Sequence, residues 1–159
     1  MIFECSKNDI SNILNVINDA ALRYKGIIPS NCWQEPYMSE EKLIIELNNS
    51  VRMYGYKKNN RIIGVMGIQK LKDVTLIRHA YTLSFYQRIG IGTSLLKYLL
   101  QKNKNSRFLV GTWQSASWAI RFYEKFGFVL HSKKSTFTLL KKYWKISSKQ
   151  IANSVVLEK

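Results

Sequence analysis

A run of strand-forming residues that ends in a short glycine-containing turn, followed at once by a helix, is the feature that most restricts the fold of this chain. The run 74–83 is rich in Val, Thr, Ile, Leu and Tyr, and the turn 87–92 reads Gln-Arg-Ile-Gly-Ile-Gly. Apolar residues then recur at the spacing of one helix face: Ile91, Leu95, Leu96 and Leu99. The glycines leave room for a ligand against the backbone, and the first turn of a helix presents amide N–H groups without intrahelical partners. The segment therefore predicts a phosphate or pyrophosphate site, with Arg88 as an added positive charge.

Two other phosphate-binding turns do not fit this segment. A dinucleotide-binding turn requires a third glycine, a parallel βαβ unit and an acid about 20 residues later. Here the third glycine is missing, the preceding strands are joined by short turns, and the stretch 102–107 after the helix is basic. A P-loop ends in Gly-Lys-Ser/Thr, which is also missing. A lone Gly-x-Gly also occurs in ordinary tight turns. The turn by itself therefore does not establish a phosphate site, and features elsewhere in the chain are needed.

The order of the other elements predicts a single α/β domain over residues 1–159. Ser6 and Asp9 have the spacing of a capping box before a first helix, and Ser39 marks the start of a second helix with Leu43, Ile44 and Leu47 as its buried stripe. Between them, residues 27–38 are irregular and contain both prolines of the chain. The remaining predicted elements are strands at 2–6, 52–58, 61–71, 107–112, 128–132 and 154–158, a helix at 118–126 and a helical turn at 139–144.

The composition excludes several classes of protein. Two cysteines and two histidines, without metal-ligand spacing, predict neither a disulfide framework nor a metal site. No apolar run has the ~20 residues that span a membrane, and the N-terminal residues predict no signal peptide, so we expect a cytoplasmic protein. The 25 Lys and Arg against 10 Asp and Glu give a net charge of +15, which favours a phosphate-rich cofactor or nucleic acid as a partner. A general compositional bias toward Lys explains the same charge equally well.

Two motifs together carry a resemblance to a known family. Gln87, Gly90 and Gly92 match the pattern Gln/Arg-x-x-Gly-x-Gly/Ala, and a second pattern of Ala, Phe-Tyr and Gly-Phe is matched at five further positions: Ala119, Phe122, Tyr123, Gly127 and Phe128. In their order and separation these motifs resemble the GNAT superfamily of N-acetyltransferases. The resemblance implies a mixed α/β fold whose central sheet of about six to seven strands is mostly antiparallel and flanked by helices. The part of the chain before residue 51 resembles the family only in general outline.

The resemblance also implies the binding residues for acetyl-CoA, the acyl donor. Backbone groups of Tyr81, Thr82 and Leu83 are expected to hold the acetyl-pantetheine arm. The pyrophosphate is expected at the turn and the helix start: Gln87, Arg88, Ile89, Gly90, Ile91, Gly92 and Thr93. Ser84 stands where a proline is common, and Ala116 stands where many members have an asparagine that contacts the cofactor.

Two side chains are candidates for the proton transfers of acetyl transfer. Histidine has an ordinary pKa of about 6.5, which suits a general base at neutral pH. His79 lies in the strand before the glycine turn, near the position where many family members carry a Glu as base; the alternative is a histidine bonded within the sheet, and Arg78 is expected on the opposite face. Tyr123 lies where the family often keeps a tyrosine as general acid for the thiolate; the alternative is a residue that flanks the core phenylalanines Phe122 and Phe126.

The acceptor pocket is expected to use aromatic and acidic residues on loops, although about half of such aromatics only cover a core. The candidates are Trp33, Glu35, Tyr37 and Trp113. Glu35 is a candidate second base or an anchor for a cationic acceptor. Cys32 has no evident histidine partner, so a covalent acyl-enzyme is not the expected route.

The sequence therefore predicts an acetyl-CoA-dependent N-acetyltransferase that transfers the acetyl group directly to an amine. The acceptor is a small molecule or a peptide, and the net charge points weakly to an anionic one. A monomer and a homodimer both agree with the sequence. Two alternatives stay open: an acyl-CoA-binding sensor without turnover, which Ala116 and the lack of the usual Glu favour, and a basic nucleic-acid-binding domain.

Overall fold

The computed structural model describes all residues from 1 to 159, and the chain divides into two compact units. The first unit comprises Met1–Arg23 and Gln34–Ser106, and the second comprises Tyr24–Trp33 and Arg107–Lys159.

A four-stranded antiparallel sheet forms the centre of the first unit. Its strands are β1 (Ile2–Glu4), β2 (Val51–Lys58), β3 (Arg61–Lys70) and β4 (Thr75–Thr82), and they lie side by side in chain order. Asn59 and Asn60 connect β2 to β3 with φ of 48° and 60°, the left-handed backbone that a tight hairpin needs and that asparagine tolerates. The predicted meander is confirmed.

Three helices belong to the first unit: α1 (Ile10–Ala21), α2 (Glu40–Asn48) and α3 (Ile91–Lys102). The capping box of Ser6 and Asp9 precedes α1, and the Ser39 hydroxyl accepts a hydrogen bond from the Lys42 amide at the start of α2.

The predicted stripe of α2 is partly wrong. Leu43 is buried as predicted, but Ile44 is 38% exposed. The polar residue Glu46, which was not part of the predicted stripe, lies on the inward side instead. The reason is the helical period, because a residue three positions after Leu43 lies on nearly the same face, whereas the next residue is rotated by about 100°. A carboxylate therefore points into the unit from α2.

The helix α3 lies close to the sheet because β3 has a glycine under it. The predicted face of Ile91, Leu95, Leu96 and Leu99 is buried. A Cβ at Gly64 would stand 2.5 Å from Cγ2 of Ile91, the first residue of α3. The lack of a side chain at Gly64 thus sets how near the start of α3 lies to β3.

The second unit contributes three strands of the seven-stranded sheet, and it contains three helices. The strands are β5 (Phe108–Trp113), β6 (Val129–Leu130) and β7 (Ser154–Glu158), in the order β5-β7-β6. The helices are α4 (Ser117–Glu124), α5 (Lys133–Tyr143) and α6 (Ser148–Ala152). The helical turn predicted at 139–144 is the end of the longer α5, and α6 was not predicted. In each unit every strand pairing described above is antiparallel and helices accompany the strands, which confirms the predicted fold class.

A cluster of charged side chains joins the strands of the second unit. Arg107 donates two hydrogen bonds to the Glu158 carboxylate, at 2.9 and 2.8 Å, and Nε2 of His131 lies 2.8 Å from Oε1 of the same carboxylate. Hydrogen bonds from Arg107 and His131, together with their charges, lower the pKa of Glu158 to about 2. The hydrogen bond from Arg107 is the largest contribution, and it outweighs the opposite effect of partial burial.

The helices of this structure all fall short of the length and hydrophobicity that a membrane-spanning helix requires.

We expect Gly64→Ala to destabilise the first unit by about 1–3 kcal/mol, because the new methyl group overlaps the side chain of Ile91. Urea unfolding measures this loss. The double variant Gly64→Ala/Ile91→Ala should lose less than the sum of the two single variants, because the second change removes the overlapping methyl group. Strict additivity would contradict the close contact.

We expect Glu158→Gln to lower the free energy of unfolding at pH 7 by about 1 kcal/mol, because a partly exposed but bidentate ion pair with Arg107 is lost. The folded-state pKa lies below the unfolded value, so this stability is present above the unfolded pKa and is lost as the pH falls toward 2. Denaturation of both proteins between pH 7 and pH 2 should show the difference closing. A constant difference would mean that the charge of Glu158 is not the cause.

Candidate active site

One extra residue in β4 reshapes the middle of that strand. Val65 pairs with Tyr81 and Gly67 pairs with Arg78, so His79 and Ala80 together face the single residue Met66. His79 has φ of 51°, a left-handed backbone that a non-glycine residue rarely adopts. This is a β-bulge, which interrupts the alternation of side chains along the strand and redirects them locally.

The bulge brings Arg78 and His79 to the same carboxylate. Nη2 of Arg78 lies 3.1 Å from Oε1 of Glu46 on α2, and Nε2 of His79 is hydrogen-bonded to Oε2 of that residue. The prediction that Arg78 faces away from His79 is therefore wrong, because strict alternation holds only in a regular strand. All three side chains are largely buried, with 13–16% of each exposed.

Glu46 is ionised at this position. Its burial disfavours the charged form, but the hydrogen bond and charge of His79, with the charges of Arg78 and Lys42, outweigh burial and lower the pKa of Glu46. Sequence reasoning missed Glu46. The only signal it offered was an acid three residues after the buried Leu43, on the inward face of α2.

A further hydrogen-bond chain holds Arg78 in place. Nη1 of Arg78 donates to Oε1 of Gln69 at 2.8 Å, and Nε2 of Gln69 donates to the Asn49 carbonyl at 2.9 Å, just after α2. The guanidinium is thus fixed from β3 and from the end of α2. The Glu46 carboxylate consequently meets a rigid cation on one oxygen and an imidazole on the other.

The glycine turn opens the start of α3 to a ligand. Gly90 is the N-cap of α3 with φ of 89°, and no side chain caps the helix. The place where a Cβ would stand at Gly90 has no atom within 4 Å. The first amides of α3 belong to Ile91, Gly92 and Thr93, and amides at these positions have no intrahelical acceptor. They form the positive pole of the helix dipole, and Arg88 just before them is exposed.

The end of β4 is anchored next to this turn. The Leu83 amide donates to the Ile63 carbonyl at 2.9 Å, and Thr82 pairs with Gly64. The Gln87 side chain donates to the Thr82 carbonyl at 3.1 Å, so it ties the turn to the strand. Asp19 on α1 accepts a hydrogen bond at 2.7 Å from the amide of Ser84, the first residue of a short 3₁₀ turn. The predicted arm residues and the first part of the turn are therefore anchored by hydrogen bonds, and the predicted pyrophosphate residues follow them directly in the chain.

Tyr37 lies against the end of β4. Its ring meets that of Tyr81 edge to face, with the centroids 6.5 Å apart. Asn18 holds the adjoining loop through both the amide and the carbonyl of Met38, at 2.8 and 2.9 Å. Glu35 is exposed in the same loop. Of the predicted acceptor residues, the structure thus brings Tyr37 to the predicted acetyl-pantetheine strand.

The other predicted residues lie in the second unit. Trp33 is half-buried after a 3₁₀ turn, and Trp113 is the buried last residue of β5. Tyr123 is 4% exposed on α4, where its ring packs against Phe122 and Phe128.

The predicted packing of α4 is reversed. Tyr123 is the buried residue of this helix, whereas Phe122 and Phe126 are only half-buried. Burial, with the nearby Tyr24, raises the pKa of Tyr123 above its ordinary range, so the phenol keeps its proton at neutral pH. Ala116 is the fully buried N-cap of α4, without a side-chain cap.

Comparison with known proteins identifies the family and the fold. A family model described as an acetyltransferase (GNAT) domain matches residues 13–139. No curated protein sequence matches the chain significantly. The fold is similar to that of PaiA N-acetyltransferase from Thermoplasma acidophilum in complex with coenzyme A, with a TM-score of 0.73 at 20% identity over 100% of this chain and 97% of that one.

Two further solved structures have the same fold. A GNAT-family acetyltransferase from Staphylococcus aureus Mu50 has a TM-score of 0.75 at 18% identity, over 100% of this chain and 97% of that one. The ribosomal-protein-S18-alanine N-acetyltransferase from Escherichia coli has a TM-score of 0.70 at 16% identity, over 99% and 91%. Because the family model covers most of its length, this chain belongs to the GNAT family of acetyltransferases.

Proposed function

We propose that the protein is an acetyl-CoA-dependent N-acetyltransferase in which residues 1–159 act as one catalytic domain. The observation that carries the proposal is the uncapped start of α3, where Gly90 in a left-handed conformation leaves the first amides open beside the end of β4. Such a helix start binds phosphate through main-chain amides and the helix dipole. Support comes from the GNAT family match and from a structural neighbour that holds coenzyme A.

The proposed binding site follows the fixed backbone described above. In this proposal Tyr81, Thr82 and Leu83 are the strand residues that hold the acetyl-pantetheine arm. We propose that the amides of residues 88–93 receive the pyrophosphate, with the side chain of Arg88 as an added positive charge and Gln87 just before them.

The proposed chemistry is direct transfer. When bound, acetyl-CoA supplies the acetyl group as a thioester, so a C–N bond to the acceptor forms and the C–S bond breaks. His79 takes a proton from the attacking amine, since it is a largely buried imidazole held by Glu46. Tyr123 gives a proton to the leaving sulfur, because its phenol stays protonated at neutral pH.

The acceptor in this proposal is an amine on a small molecule or a peptide. Trp33, Glu35, Tyr37 and Trp113 are the proposed pocket residues, with the exposed Glu35 carboxylate able to attract a cation. Two structural neighbours are named for acetylation of ribosomal-protein alanine, so a protein N-terminus belongs in any acceptor panel. The proposal places the protein in the cytoplasm, where acetyl-CoA is available, as a monomer or homodimer.

We expect Gly90→Asp to weaken acetyl-CoA binding at least tenfold, because a carboxylate at the N-cap both caps the helix and repels the pyrophosphate. Isothermal titration measures the Kd. The matched control is Gly26→Asp, since Gly26 also has a positive φ, of 79°, and open space at its Cβ position. This control carries the same backbone strain and should bind like the wild type. Equal affinity of the two variants, or no binding of coenzyme A by the wild type at millimolar concentration, would end the proposal.

We expect His79→Ala and Tyr123→Phe each to lower kcat/KM by about 10²- to 10⁴-fold while acetyl-CoA still binds, because each removes one proton-transfer group. Release of free thiol from acetyl-CoA over a panel of amines, amino acids and short peptides gives the rates. The control is His131→Ala, which removes the other histidine of the chain. If both variants keep the wild-type kcat/KM and pH profile, these roles are wrong even though the family stands.

A further inference from the structure

The cluster of Glu46, Arg78 and His79 has more parts than a general base alone requires. One carboxylate, carried by α2, receives hydrogen bonds from two neighbouring residues of β4, and the bulge at His79 makes this double contact geometrically possible. A histidine that only filled space in the sheet would not need a left-handed backbone, a conformation that costs free energy for most residues with a side chain.

The atoms in contact define which nitrogen of the imidazole is free. Nε2 of His79 is bonded to Oε2 of Glu46, and an ionised carboxylate can only accept a hydrogen bond. Nε2 therefore carries a hydrogen, and in the neutral ring the lone pair lies on Nδ1. A fixed tautomer with one basic nitrogen is what a general base needs.

We propose that Glu46 is a positioning residue that holds His79 in the tautomer with Nδ1 as its basic atom, and that Arg78 balances the carboxylate charge. This inference rests on the proposed function, because it assumes that His79 is the base. When Nδ1 takes a proton from the acceptor amine, the imidazolium formed lies directly beside the Glu46 carboxylate. The carboxylate stabilises that cation without accepting its proton.

Arg78 limits how strongly the Glu46 carboxylate stabilises the imidazolium of His79. A buried carboxylate alone would hold the imidazole in its protonated form, in which it has no free lone pair and cannot act as a base. Arg78 occupies the other carboxylate oxygen at 3.1 Å and is itself fixed by Gln69 at 2.8 Å. The charged groups that act on Glu46 are thus Arg78 and His79 from β4 and Lys42 from its own helix. The positive charge of Arg78 thus offsets the negative charge of Glu46 beside the imidazole.

The test exploits the opposite charges of the two partners. Glu46→Gln removes the anion beside the imidazole, so the acidic limb of the kcat/KM profile should move to lower pH by about one unit, and kcat should fall about tenfold. Arg78→Gln removes the cation, so the limb should move to higher pH by a similar amount. A purely structural role for the cluster would lower activity in both variants without moving the limb in opposite directions.

Controls separate misfolding from loss of positioning. Glu46→Asp keeps the charge and should retain the wild-type pH profile with a partial loss of kcat. Glu41→Gln alters an exposed acid of the same helix and should behave like the wild type. Thermal unfolding and acetyl-CoA titration of each variant show whether the fold and donor binding persist.

The results distinguish this inference from the function on which it rests. If His79→Ala loses activity while Glu46→Gln and Arg78→Gln leave the pH profile in place, the positioning role is overturned and the base remains. If His79→Ala is fully active, the base assignment fails first. If the wild type does not bind acetyl-CoA, the proposed function itself fails.

Discussion

The bulge in β4 is the constraint on which the candidate site depends. A regular strand would send Arg78 and His79 to opposite faces of the sheet, and only one of them could reach α2. The extra residue, with His79 in a left-handed conformation, lets both side chains converge on Glu46. The same strand then regains regular pairing at Tyr81 and Thr82 and continues into the turn that opens α3. One local irregularity thus separates the polar cluster from the regularly paired end of the same strand.

The largely buried charge of Glu46 is opposite in sign to the net charge of the protein. The chain has a net charge of +15, but Glu46 is ionised within the first unit because a histidine and an arginine meet it where water is scarce. At the start of α3 the polarity is the reverse, since amides without an intrahelical partner or a side-chain cap favour an anion. The first unit therefore carries a largely buried negative centre at Glu46 and a positive helix end at Gly90. This separation suits a reaction in which a phosphate-rich donor and a basic amine must approach each other.

Local rules of sequence predicted a large part of this structure. The capping box of Ser6 and Asp9, the Asn59–Asn60 turn and the buried face of α3 each depend on residues a few positions apart, so the pattern alone reveals them. Gly90 was predicted at a helix start, and it lies there.

The missed features depend on distant contacts. Glu46 meets partners 32 and 33 residues away, and no spacing rule connects them. The bulge adds one residue to a strand whose composition gives no sign of it. On α4 the aromatic pattern indicated Phe122 as core, but tertiary packing turned Tyr123 inward instead. The first turns of α5 were missed because Lys133 and Lys134 weaken the apolar period at the start of this helix.

The order of strands in the second unit has a consequence for folding. β7 lies between β5 and β6, yet it follows both of them in the chain, and its partner Trp113 on β5 precedes Ser154 by more than forty positions. Until residues 154–158 have been synthesised, β5 and β6 each present an unpaired edge, a state that favours association with other chains. Closing such a long loop is also slow, since the entropy of closure must be lost before any pairing is gained. The sheet of the second unit is thus complete only after β7, the last strand in the chain, has been added between β5 and β6.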